Sequence, residues 1–387
     1  MPDLFSPLKI GLLTTRNRVV MAPMTRCRAP APVQSPGRIN AEYYAQRSGD
    51  DGAGLIVSEA TQVSPAGRGY PNTPGLHSEE QVAGWKLVTE AVHARGSLIF
   101  AQLWHVGRVS HEVYQPDGRA PMSSSPSAKS GECVLPDGTK APYPTPRAMT
   151  VEDIREVTEQ YRHAANNARA AGFDGVELHG ANGYLPDQFT RDGVNRRTDQ
   201  YGGSIENRIR FIFDLTRMLV DVWGADRVGV RLSPSGAFGD MIDSDPKATF
   251  GHLVQKYNQL PLAYLHIMEA MEGDIRRGKE LVPGYEPIPV SHFRPLTRHT
   301  LITNAGFTFE KGREYLHRGW ADAIAFGIPF ISNPDLTARF RAMASGTPVE
   351  LAPGDPATFY WPGVGPMEVG YTSYPAMMRA ETDVIHA

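Results

Sequence analysis

Short apolar runs alternate along this chain with longer stretches in which apolar positions recur every three or four residues. Those are the two periodicities of buried strands and of helices lying against a sheet. The runs predict strands at 19–22, 55–59, 98–103, 176–179, 228–232, 264–268, 301–303 and 323–326. The longer stretches predict helices at 39–47, 78–95, 151–171, 204–223, 247–259, 291–298, 309–318 and 336–345. Strand and helix alternating from end to end is the pattern of an α/β fold, and eight such units point to a closed (β/α)8 TIM barrel. An open doubly wound sheet shares the alternation, but no G-x-G-x-x-G follows the first strand.

Two segments fall outside the repeat. Residues 4–10, ending at Gly11, read as an N-terminal hairpin that closes the barrel floor. Residues 105–150, rich in Pro, Ser and Gly, are too long for an ordinary connection and read as a capping insertion after strand three. With no internal repeat and no low-complexity tract, residues 1–387 read as one domain with an excursion.

Composition narrows the partners more than the fold. With 41% hydrophobic residues the 387-residue chain can fill a large core, and 38 Gly with 32 Pro exceed the ~12% average share and imply many shaped loops. A formal charge of −3 offers no basic field for nucleic acid or an anionic membrane surface. The first residues, MPDLFSPLKI, lack the charged and apolar regions of a signal peptide, and no apolar run approaches the ~18 residues of a membrane span. A cytoplasmic protein is expected. Cys27 and Cys133 are too few to ligate an iron–sulfur cluster within one chain.

Candidate chemistry gathers where barrel strands end, because barrel enzymes build their sites at the C-terminal mouth. Thr25 follows strand one, Gln102 and Trp104 close strand three, His179 closes strand four and Arg231 sits near the end of strand five. His179 opens the richest stretch, with Asn182 and Tyr184 three and five residues on. An imidazole, an amide and a phenol released together can grip a carbonyl oxygen and deliver a proton beside it. Asn182-Gly183 is equally a common turn pair, and His179 can equally be a hydrogen-bonded core residue. His105 and His111 lack any carboxylate or thiol spacing that would suggest a metal, and both read as solvated or pocket-rim residues.

These residues stand in motifs running nearly the length of the chain: LFSPLKIG, NRVVMAPMTRCRA, GYPNTPG, FAQLWHVGR, GVELHGANGYLPDQF, RVGVRLSP, ISNPDL and GYTSYP. In them the chain resembles the old yellow enzyme family of FMN-dependent ene-reductases, and within it the branch that includes the plant 12-oxophytodienoate reductases. The resemblance implies FMN across the barrel mouth, with Ala22, Pro23, Met24 and Thr25 along the ring, Gln102 at its pyrimidine edge and Arg231 where negative charge develops. Ala305, Gly306, Gly327 and Ile328 fall at the phosphate end. His179 and Asn182 match the pair that holds the substrate oxygen, Tyr184 the proton donor, and Tyr70, Trp104 and Tyr360 the substrate-binding wall.

The implied reaction takes hydride from NADPH or NADH through FMN to the β-carbon of an α,β-unsaturated carbonyl or nitroalkene, with a proton from Tyr184 to the α-carbon. The partner is thus a small enone-type molecule, and a homodimer is compatible with the resemblance. Nitroester or nitroarene reduction is an alternative use of the same grip, and a flavin-poor ligand-binding barrel is another. Three departures bear on these expectations. Ile328 replaces an arginine that meets the FMN phosphate in the family, which implies weaker flavin retention; His77 replaces a Trp; and segment 268–280 matches nothing assignable.

Overall fold

The computed structural model describes residues 2–270 and 286–377, with the short paired strands Arg276–Arg277 and Glu280–Leu281 between them. From residue 271 on, the unassigned segment 268–280 lies outside the described residues apart from the backbone of that pair. Eight parallel strands form the barrel: β1 (Val19–Met21), β2 (Leu55–Val57), β3 (Leu98–Trp104), β4 (Gly175–His179), β5 (Val228–Leu232), β6 (Tyr264–Met268), β7 (Thr300–Asn304) and β8 (Ala323–Phe326). They pair in chain order, and β8 returns to β1 to close the cylinder.

Each strand lies where an apolar run predicts it, because a parallel barrel covers both strand faces and so selects continuous apolar sequence. One face packs under the helices. The helix Val151–Ala170 shows the matching pattern, burying Ile154, Val157, Tyr161, Ala164, Ala165 and Ala168 on one side. Thr150 accepts from the Asp153 amide and starts this helix with a capping box. Burying each large aliphatic or aromatic side chain contributes about 1.5–3 kcal/mol, which makes this outer layer the main source of stability.

The helical expectations need three corrections. Where a helix is expected at 291–298 there is one turn, Val290–Phe293, followed by the 3-10 turn Arg294–Leu296, because Pro295 brings no amide hydrogen to an α-helix. The 204–223 helix breaks at Ile209 into Ile205–Arg208 and Arg210–Trp223. The connection after Tyr184, for which the periodicity predicts no helix before residue 204, contains a fully buried one, Leu185–Thr190.

The N-terminal hairpin lies at 8–15 rather than 4–10: Leu8–Ile10 is its first strand and pairs with Leu13–Thr15, the chain turning at Gly11 with a φ of 57°. Leu8 and Ile10 pack against inward side chains of the barrel, including Val20, Leu55 and Ile302, and stopper its floor. At the opposite end the excursion forms an antiparallel hairpin, Glu132–Val134 with Lys140–Pro142. Its base is fastened to the barrel where Ser124 Oγ donates to the Gln188 carbonyl at 2.7 Å. His105, expected as a solvated or pocket-rim residue, is instead buried just past the end of β3, its Nδ1 accepting from the Gly107 amide and its carbonyl from the Leu185 amide.

Candidate active site

Within a strand the side chains alternate, so every second residue of β3 to β7 points into the barrel. Above the hairpin stopper comes a ring layer, Phe100 and Tyr264, with centroids 5.5 Å apart. Gly175 and Gly229 face those rings: a Cβ would stand 2.5 Å from the Phe100 ring in one case and 2.3 Å from Tyr264 in the other. Only glycine leaves room for both rings on neighbouring strands.

One step higher the inward residues turn polar: Gln102, Glu177, Arg231, His266 and Asn304. Gln102 Nε2 donates to Glu177 Oε1 at 2.8 Å, His266 Nδ1 lies 3.0 Å from Glu177 Oε2, and His266 Nε2 lies 3.1 Å from Asn304 Oδ1. Strand register dictates this, since Glu177 stands opposite Gln102, and Arg231 opposite His266. Burial works to raise the Glu177 carboxyl, but His266 and Arg231 outweigh it and hold the group below its ordinary value. An ionised Glu177 therefore lies beneath the Arg231 guanidinium. Arg231 is buried, its Nη2 donates to the Met268 sulfur at 3.7 Å, and its Nε has no hydrogen-bond partner among the described residues.

The top layer is the turn after β4. Asn182 adopts a φ of 58°, uncommon outside glycine but tolerated by Asn, which throws its side chain back over the mouth. Three hydrogen bonds fix the turn: Gly180 N–H to the Arg231 carbonyl (3.0 Å), Asn182 N–H to Ser233 Oγ (2.8 Å) and Gly183 N–H to Asp187 Oδ2 (2.9 Å). Asp187 is held in turn by Arg191 at 2.8 Å, an ion pair with both side chains at 0% exposure. This pair lets two charged side chains, Asp187 and Arg191, lie inside the protein. Their helical spacing lets each neutralise the other.

Aromatic rings frame the turn. Tyr184 stands edge-on to His179 (4.9 Å) and to Trp104 (5.0 Å), while Tyr70 stacks on Trp104 at 5.5 Å. The Tyr70 and Tyr184 oxygens are 3.2 Å apart. Burial, reinforced by Arg231 and His266, holds His179 well below the ordinary histidine value, so the imidazole is neutral, and its Nδ1 has no hydrogen-bond partner among the described residues. Burial pushes the Tyr184 phenol up to about 12, so it keeps its proton at neutral pH.

A cavity of about 330 Å³ at this mouth brings together Ala22, Pro23, Met24, Thr25, Gln102, Trp104, His179, Asn182, Tyr184, Arg231, Gly327, Ile328 and Tyr360. Tyr70 lines an adjoining cavity of about 510 Å³, with Thr25, Tyr184 and Tyr360 shared in whole or in part with the first and the excursion's Val134, Leu135 and Pro136 as a roof. Ala305 and Gly306 line neither; they form the turn after β7, with φ values of 91° and 65°. Four further lining residues escape the sequence reading: Ala60, Asn304, Ile331 and Phe359. Phe359 and Tyr360 sit on a C-terminal strap held by buried arginines, with Arg26 Nε on the Phe359 carbonyl (2.8 Å) and Arg28 Nε on the Met367 carbonyl (2.8 Å).

These residues fit a flavin ring. The unpartnered Arg231 Nε and His179 Nδ1 are the kind of buried donors and acceptors that a polar heterocycle satisfies, and the Pro23 to Thr25 wall supplies a flat apolar side. At the Ile328 end the cavity is apolar, and Arg231 is the one cation among the described residues that line it.

The model of the NADH:flavin oxidoreductase / NADH oxidase family matches residues 3–345. Among curated proteins, 12-oxophytodienoate reductase 7 of Oryza sativa subsp. japonica is 46% identical over 382 residues, 96% of this chain and 94% of its own. 12-Oxophytodienoate reductase 1 of the same species is 42% identical over 381 residues, 98% and 94% of the two chains. Among solved structures, morphinone reductase in complex with tetrahydroNAD superposes with a TM-score of 0.87 at 45% identity, covering 98% of each chain. The old yellow enzyme homologue from Zymomonas mobilis gives 0.88 at 40% identity, covering 97% of this chain and all of that one.

Proposed function

We propose, for a chain that belongs to the NADH:flavin oxidoreductase / NADH oxidase family, the NAD(P)H- and FMN-dependent reduction of activated C=C bonds in enones and nitroalkenes. The observation that carries this reading is the meeting of His179, Asn182 and Tyr184 with Arg231 around one cavity. FMN held there would supply the hydride that the β-carbon receives, with the nicotinamide as its source. In this reading Ala22, Pro23, Met24, Thr25, Gln102 and Arg231 hold the ring, with Ala305, Gly306, Gly327 and Ile328 toward its phosphate.

His179 and Asn182 act as paired donors to the substrate oxygen. A neutral imidazole suits that role, since it polarises the carbonyl by donating a hydrogen bond without adding charge to a site that already holds a guanidinium. Charge drawn toward the oxygen leaves the β-carbon electron-poor and the α-carbon in need of a proton. Tyr184, protonated at neutral pH, supplies it. Trp104, Tyr70 and Tyr360 wall the substrate from solvent and set its plane. Arg231 stabilises negative charge at the ring edge; burial lowers its guanidinium from the ordinary value, and Glu177 beneath it works the other way.

The barrel and its 105–150 excursion are read as one domain, because Ser123 and Ser124 bond Gln188 and Arg108 Nη2 bonds the Gly239 carbonyl. The cytoplasm is the compartment this reading favours: it supplies NAD(P)H and keeps the free thiols of Cys27 and Cys133 reduced. The test is a steady-state panel of cyclic enones, maleimides and nitroalkenes with NADPH and NADH on FMN-reconstituted protein. Products saturated at C=C are expected. A protein that stays colourless in excess FMN and reduces none of the panel overturns the reading.

A further inference from the structure

We propose that Tyr70 is a positioning residue for proton delivery, its hydroxyl donating to the Tyr184 oxygen and handing on a replacement proton from the larger cavity. The inference rests on the reading of Tyr184 as the proton donor. Delivery of that proton leaves a phenolate, and burial makes an unsupported phenolate costly. The hydroxyl bonded to Tyr184 is that of Tyr70, at 3.2 Å.

The two phenols are not equivalent. The bond to Tyr70 favours ionisation of Tyr184, whereas the same bond, added to burial, pushes Tyr70 further above the ordinary tyrosine value. Tyr184 has a single hydroxyl hydrogen, and in the proposed reaction it points at the α-carbon, so the 3.2 Å bond between the two oxygens is then donated by Tyr70. Tyr184 lines both cavities, while Tyr70 lines only the larger one. Its ring is fixed by stacking on the buried Trp104, and its backbone by Thr73 Oγ1 donating to its carbonyl at 3.2 Å.

Proton movement then balances. The Tyr184 O–H bond breaks as the Cα–H bond forms; Tyr70 passes its proton to Tyr184; a water in the larger cavity restores Tyr70, and the hydroxide is neutralised by bulk buffer. One solvent proton is consumed per hydride.

Tyr70→Phe keeps the ring on Trp104 and removes the donor. FMN-loaded Tyr70→Phe and Tyr184→Phe are reduced with NADPH, then mixed with 2-cyclohexenone in H2O and D2O by stopped flow. Losing one hydrogen bond to a developing charge slows flavin reoxidation about tenfold to a hundredfold relative to flavin reduction. The solvent isotope effect on reoxidation is expected to grow, a change that loosened packing would not produce. Reoxidation and isotope effect unchanged in Tyr70→Phe, with Tyr184→Phe slowed, overturn the relay and leave the proposed function standing. Reoxidation unchanged in Tyr184→Phe overturns both.

Discussion

The buried Asp187–Arg191 pair is where stability and function meet, since Asp187 Oδ2 also receives the Gly183 amide that shapes the turn bearing Asn182 and Tyr184. Asp187→Asn keeps an acceptor for that amide and removes one charge. Arg191 then keeps its other partners, the Ser233 and Met241 carbonyls among them, but loses the carboxylate it meets at 2.8 Å. Breaking a fully buried pair from one side costs about 3–5 kcal/mol. For a 387-residue chain the unfolding entropy is on the order of 0.8 kcal/mol per kelvin, so the melting temperature should fall by roughly 4–6 °C. Scanning calorimetry of the FMN-loaded protein reads this directly. The double variant Asp187→Leu with Arg191→Met, which removes both charges, should recover at least half of the loss. A single variant within about 1 kcal/mol of wild type, or a double variant no better than the single, would refute the claim that this pair holds the turn.

Three other outcomes are expected. Ile328→Arg places a cation at the apolar end of the cavity and should tighten FMN binding about tenfold in a fluorescence titration, a discount on a charge-assisted bond because the position is 57% exposed; an unchanged affinity contradicts the phosphate assignment. Glu59, buried beside Arg26 and Tyr44, is pushed up to about 7 mainly by burial. A raised carboxyl gives its stabilisation below the unfolded value near 4.5 and loses it as pH rises toward 7, about 3 kcal/mol in all. Denaturation at pH 5 and pH 8 should thus show wild type losing stability as pH rises and Glu59→Gln losing much less. Gly229→Ala should cost about 1–3 kcal/mol in urea unfolding, because its Cβ would meet Tyr264 at 2.3 Å; a cost-free substitution would mean that the ring layer yields easily.

The barrel was legible in sequence because parallel strands covered on both faces leave plain apolar runs, and all eight strands lie where those runs fall. The mouth residues were legible for the same reason, since Gln102, Trp104, His179 and Arg231 end such runs in inward phase. What escaped depends on partners distant in sequence. Glu177 sits inside an apolar run and gains its meaning from His266, which is 89 positions away. Asn304 lies one residue past the apolar run that predicts β7, although alternation from Ile302 places it inward. The helix Leu185–Thr190 was hidden because Asp187, Gln188 and Thr190 look solvated until their partners are known. The place of Ala305 and Gly306 at the phosphate end rests on the resemblance alone, and neither residue lines either cavity.

The most direct test of the account is a pair of half-reactions on Tyr184→Phe. With FMN bound, reduction by NADPH should stay within about twofold of wild type, because Tyr184 takes no part in hydride uptake. Reoxidation by 2-cyclohexenone should slow by about 10²–10⁴, the range for losing a positioned general acid. Reoxidation at the wild-type rate, or a loss confined to the reduction by NADPH, would contradict the assignment of Tyr184 and with it the chemistry built on the His179 turn.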